Sequence, residues 1–107
     1  MTNNKGYIKI RKDFFENTKI ILLKSEENGD KYVNLLLRLY LTSLKFDGDL
    51  MLNENIPYTE EMLSKITGYN KNFVHQAIEK YIEYGFMAID EVMFMADLED
   101  VLYGRMD

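Results

Sequence analysis

The chain has 107 residues, no cysteine, 47 % hydrophobic and 29 % charged side chains, and a net charge of −5. Those figures suit one domain with a real core; they exclude disulfides, thiolate chemistry and cysteine-based zinc sites, and suit a reducing cytoplasm. No apolar run reaches the roughly 18 residues of a membrane span, and Met1–Gly6 lacks the apolar stretch of a secretory signal.

Charge is distributed unevenly. Residues 1–24 carry Lys5, Lys9, Arg11, Lys12, Lys19 and Lys24 against Asp13 and Glu16, a balance of +4. Residues 69–84 are neutral, and residues 85–107 come to −5. The chain is basic at the front and acidic at the back.

In chain order, Tyr7-Ile8-Lys9-Ile10-Arg11 alternates apolar and polar and predicts a short strand or extended arm. Asp13 or Asn17-Thr18 can cap a first helix, whose apolar surface comes from Phe14, Phe15 and Ile20–Leu23. Asn28-Gly29 stops it. Asp30 is then expected to cap a second helix to about Lys45, apolar around most of its circumference and therefore the most buried element. Leu50-Met51-Leu52 predicts a small strand. Thr59 is a good cap for a short helix through Ile66, with Met62, Leu63 and Ile66 on one face, and Gly68 breaks it. Asn70 caps the next helix, about residues 71–84, along which Phe73, Val74, Ala77, Ile78, Tyr81 and Ile82 form an apolar stripe. Gly85 ends that helix. Phe86–Ile89 and Val92–Met95 predict a hairpin around Asp90-Glu91, wider than two residues for want of a turn glycine. Residues 97–103 are expected to add a helical turn or two.

Short helix, glycine turn, longer helix and hairpin make a winged helix-turn-helix, mainly α with a small β-hairpin wing. In that layout one helix braces the next, whose outer face enters the major groove. The stripe leaves Asn70, Lys71, Asn72, His75, Gln76, Glu79, Lys80 and Glu83 outside. Asn and Gln suit adenine edges, and Lys and His suit guanine or phosphate. The candidate DNA-binding residues are Asn70, Lys71, Asn72, His75, Gln76 and Lys80, with Lys65, Lys9, Arg11 and Lys12 for the backbone. Against this stand the acidic wing tip and the two glutamates on the helix.

Catalysis and metals find little support. One histidine and no cysteine cannot build a nitrogen–sulfur metal site, and Asp47-Gly48-Asp49 lacks the further ligands of a calcium loop. Glu60-Glu61 and Asp90-Glu91 read as helix-start and loop charges. No phosphate-cradling glycine loop or activated nucleophile is present. No catalytic residue, metal, cofactor, small-molecule substrate or membrane partner is expected. Tyr7, Tyr58, Tyr69 and Tyr103 sit at element ends, where tyrosine serves packing or self-association.

Three stretches carry a family resemblance. Tyr7-Ile8-Lys9-Ile10 leading to Asp13-Phe14-Phe15, with Lys19-Ile20 and Asn28-Gly29-Asp30, is the first. Leu50–Leu63 is the most specific, and Tyr84-Gly85-Phe86-Met87-Ala88-Ile89 follows. Over about residues 6–96 the chain resembles the phage replisome-organiser N-terminal domain, and more distantly the N-terminal domains of DnaD-type primosome proteins. The resemblance implies a winged-helix module that binds double-stranded origin DNA, self-associates as a homo-oligomer and helps load a replicative helicase through the helicase or its loader. Chain length implies one domain over 1–107, with its core at about 6–96 and a tail at 97–107. The family module normally stands ahead of a C-terminal region, so the chain is expected either to lead into one or to be a short member lacking it. Two alternatives stay open: an interaction module with little DNA affinity, and a transcriptional repressor of the same architecture.

Overall fold

The computed structural model describes Ile10 and residues 12–96. The expected arm at 7–11, apart from Ile10, and the expected turns at 97–103 lie outside them, as do Tyr7 and Tyr103.

A single 3-10 turn, Phe14–Glu16, leads into α1 (Thr18–Lys24). Asn17 is the residue that caps α1: its side-chain oxygen accepts from the backbone N–H groups of Lys19 and Ile20 at 2.9 and 3.3 Å. Only part of the predicted apolar surface is used inside. Phe14, Ile20 and Leu23 are buried, whereas Phe15, Ile21 and Leu22 face out.

The second helix, α2 (Gly29–Ser43), begins two residues earlier than a cap at Asp30 predicts. Asn28 occupies the cap position in the left-handed conformation with no side-chain capping bond, and Asp30 falls in the first turn. There its carboxylate still suits the positive end of the helix dipole. The helix also stops short of Lys45, giving way to a 3-10 turn over Leu44–Phe46. As expected, α2 is central: Tyr32, Val33, Leu35, Leu36, Leu39 and Tyr40 are all buried.

β1 (Met51–Asn53) pairs antiparallel with β2 (Ile56–Pro57), an exposed hairpin of which only the first strand is predicted. Asn53 closes its turn, accepting from the N–H groups of Asn55 and Ile56. α3 (Glu60–Thr67) is capped by the Thr59 hydroxyl, which accepts from Met62 N at 3.2 Å. Leu63 anchors α3 in the core and Met62 is half-buried, but Ile66 is 51 % exposed, against the prediction. Eight residues give two turns, and the last of them runs past the core. Gly68 ends α3 at φ 81°, where a side chain would be strained.

α4 (Lys71–Tyr84) follows the Asn70 cap, whose Oδ1 accepts from Asn72 N and Phe73 N. Val74, Ala77, Ile78 and Tyr81 are buried; Ile82, at the edge of the predicted stripe, is largely exposed. After Gly85, β3 (Met87–Ile89) pairs antiparallel with β4 (Met93–Met95), Met87 opposite Met95 and Ile89 opposite Met93. The connecting loop is Asp90–Val92, three residues wide, as the missing turn glycine requires. The other edge of β4 receives the chain before β1: Leu50 N donates to Met93 O, and Met95 N to Gly48 O. The hairpin is thereby tied to the helices by a third short segment. The described chain is a winged helix-turn-helix, mainly α with a small hairpin.

Buried polar groups are satisfied across long sequence distances. The Tyr81 hydroxyl donates to Tyr32 O at 2.5 Å, and the Tyr40 hydroxyl to Ala96 O at 3.1 Å. Burial pushes the Tyr81 phenol well above its ordinary range, so it stays protonated and keeps donating to Tyr32 O.

Candidate nucleic-acid interface

α3 and α4 pack as a pair joined by Gly68-Tyr69-Asn70, and that turn is fastened from α2. The Tyr69 hydroxyl donates to Asn34 Oδ1 at 3.0 Å, and Tyr69 stacks on Phe73, which stacks on Tyr32. Tyr58 and Tyr69 are both packed against the core, so packing is the role visible for each. Arg38 of α2 bonds Asn34 Oδ1 and reaches Thr67 O at 3.5 Å. A helix bound at its preceding turn in this way is held firmly against the core.

On α4 the core side is set by Val74, Ala77, Ile78 and Tyr81. At 100° per residue, Asn72, Gln76, Glu79 and Glu83 lie on the opposite ridge, and all four are exposed. The ridge is chemically divided. Its N-terminal half carries two neutral carboxamides; its C-terminal half carries two carboxylates.

The remaining polar positions of α4 flank that ridge. Lys71 is exposed at the first position, and Asn70 spends its side-chain oxygen on the cap. His75 leans towards α3: its Nδ1 lies 2.9 and 3.1 Å from the two oxygens of Glu60, and its Nε2 lies 3.4 Å from Glu79. Its side chain is nevertheless 54 % exposed. Lys80 leans the other way and donates to Glu26, in the loop between α1 and α2, at 2.5 Å, with its ammonium over the Tyr32 ring. Tyr84 donates to the other oxygen of Glu26. Those two bonds, Lys80 first, hold the Glu26 carboxyl below its usual range. Two of the cations expected to face DNA are therefore matched by acids. Sequence periodicity places His75 outside, as found, whereas Lys80 is half-buried against Glu26; the pattern carries no sign of Glu60 and Glu26, which stand 15 and 54 residues away.

The Glu60 hydrogen bond and charge, followed by Glu79, raise the His75 imidazole above its ordinary value of 6.5. The stabilisation from this pairing is complete below 6.5 and is lost as pH rises through the higher folded value. An NMR titration of the His75 ring should show a midpoint above 6.5, and Glu60→Gln should bring it down towards 6.5. A midpoint unmoved by that substitution would refute the clasp.

Elsewhere, Lys65 is exposed on α3 and lies 3.8 Å from Glu61, one turn away. Lys12 is exposed, and Lys9 and Arg11 lie outside the described residues. Arg38, at the turn before α4, is a cation that sequence reading missed; only its contact with Thr67 brings it there. Beside α4 a cleft of about 540 Å³ is edged by Glu26, Glu27, Glu79 and Glu83, with Gln76 and the Glu26-bound Lys80 also on its rim, so its net acidic side is an unsuitable surface for phosphate. Among the described residues no three acidic or histidine side chains gather as a metal site, and no helix is long and apolar enough to cross a membrane.

The model of the N-terminal phage replisome organiser family matches residues 7–103. The chain belongs to that family. No curated protein and no solved structure matches it. Membership gives this replisome organiser domain a role in phage replication, and places it with organising rather than catalytic components.

Proposed function

We propose that this replisome organiser domain binds double-stranded origin DNA in replication initiation and helps bring in the helicase or its loader. Support comes from the N-terminal half of α4: a neutral, exposed ridge on a helix braced by α3, flanked by the β3–β4 hairpin. Lys71, Lys65 and Arg38 come from three elements around the α3–α4 turn and supply positive charge for phosphates on that side. Lys5, Lys9, Arg11 and Lys12 extend the basic set along the chain. Lys80 is a poor phosphate ligand, because engaging DNA would strip Glu26 of its cationic partner and leave it only the Tyr84 hydroxyl.

Fluorescence anisotropy with origin-like and random duplexes at low and high salt tests this reading. With about four phosphates engaged, log K should fall against log[salt] with a slope of roughly −3.6. Lys71→Ala should weaken both duplexes alike and make the slope shallower by about 0.9. Absence of binding to either duplex at low salt would refute the reading.

The acidic cleft and the acidic hairpin tip, Asp90-Glu91, favour a second reading, in which the domain serves oligomerisation and primosome contacts with little DNA affinity. Light scattering that shows a stable dimer or tetramer, together with no duplex binding, would select it.

A further inference from the structure

We propose that Asn72 and Gln76 are the base-reading pair of this domain and that the base they read is adenine. This deepens the DNA-binding reading and depends on it. The polar side chains of α4 sort themselves by what they already touch. Asn70 is committed to the helix cap, His75 to Glu60 and Glu79, and Lys80 to Glu26. Among the described residues, the Asn72 and Gln76 carboxamides have no hydrogen-bond partner, and both are exposed on the ridge farthest from the core.

Chemistry then selects the base. A carboxamide offers a carbonyl oxygen and an NH₂ side by side, which match the N6 amino group and N7 of adenine in the major groove. A guanine reader would be Arg or Lys, and the one lysine bordering this half of the ridge, Lys71, sits on its flank. A cytosine reader would be Glu. Glu79 and Glu83 occupy the far half of the ridge, where approach to the phosphates is repulsive, and Glu79 also faces His75. Four residues of helix advance about 6 Å, close to two base-pair steps of about 3.4 Å. Asn72 and Gln76 therefore reach two different positions, one or two steps apart.

The test is selection from a randomised duplex pool by the full chain at low salt, followed by anisotropy on the enriched sites. Enriched duplexes should carry adenine at two positions one or two steps apart. Asn72→Ala and Gln76→Ala should each abolish the preference at one of those positions, a loss of about 5- to 150-fold in discrimination. The salt slope and the circular dichroism spectrum should stay unchanged in both, because neither side chain is charged. Replacing the selected adenine by 7-deazaadenine should reproduce the loss for the parent protein, with little further loss in the matching variant. Duplex binding whose base preference survives both substitutions, or enriched sites without adenine, would overturn the assignment while leaving DNA binding intact. Failure to bind any duplex at low salt would overturn the DNA-binding reading itself, and the assignment with it.

Discussion

Gly29→Ala should lower the thermal unfolding midpoint by roughly 10–25 °C, following a loss of about 3 kcal/mol. A Cβ built on Gly29 would stand 1.9 Å from Lys24 O, 2.4 Å from Lys24 C and 2.8 Å from Leu23 O. All three are backbone atoms of α1, so no side-chain rotation relieves the clash. Gly29 N also donates to Glu26 O at 2.8 Å, fixing the α1–α2 loop that carries the partner of Lys80 and Tyr84. Moving the two helices apart would disturb the core and this loop together. Gly68→Ala is the comparison: its Cβ would meet nothing within 4 Å, and its φ of 81° alone should cost about 1 kcal/mol. Differential scanning calorimetry of the two variants separates close approach from conformational strain. Equal midpoints would refute the steric account.

The second large effect is expected from Leu39→Ala. Leu39 is wholly buried on the central helix, alongside Leu35, Leu36 and Tyr40. Removing three carbons there forfeits their transfer free energy and leaves a cavity that a rigid α2 cannot close, at a cost of about 3 kcal/mol. Leu41, two residues further along the same helix, is 49 % exposed, and Leu41→Ala should change stability by less than about 1 kcal/mol. Urea denaturation of both variants reads the difference directly. A similar small loss in each would mean that α2 is not the centre of the core.

The contrast between Leu39 and Leu41 also marks how far a sequence pattern reaches. Periodicity identifies α2 as central but does not say which of its many apolar residues is left outside. The same holds at Ile66, Ile21 and Leu22, predicted as apolar surface for burial and found exposed. Each lies on a short helix, where two turns give room for one or two inward positions and the neighbouring elements decide which are used.

Most features governed by near neighbours were legible in the chain. Asn17, Thr59 and Asn70 cap helices because a short polar side chain meets an amide two or three residues ahead. Gly68 and Gly85 end helices through left-handed backbone, and the apolar stripe of α4 fixes its outer face. The order helix, turn, helix, hairpin follows from these signals, and with it the winged-helix arrangement. Tertiary structure alone decided which groups on that face are already spoken for. The partners of His75, Lys80 and Gly29 are brought up by folding, and a pairing of charges or a backbone approach leaves no periodic trace in the chain. Hydrogen bonds to Glu60 and Glu26 thus convert two expected DNA ligands into internal contacts, and leave the two amides of α4 facing outward.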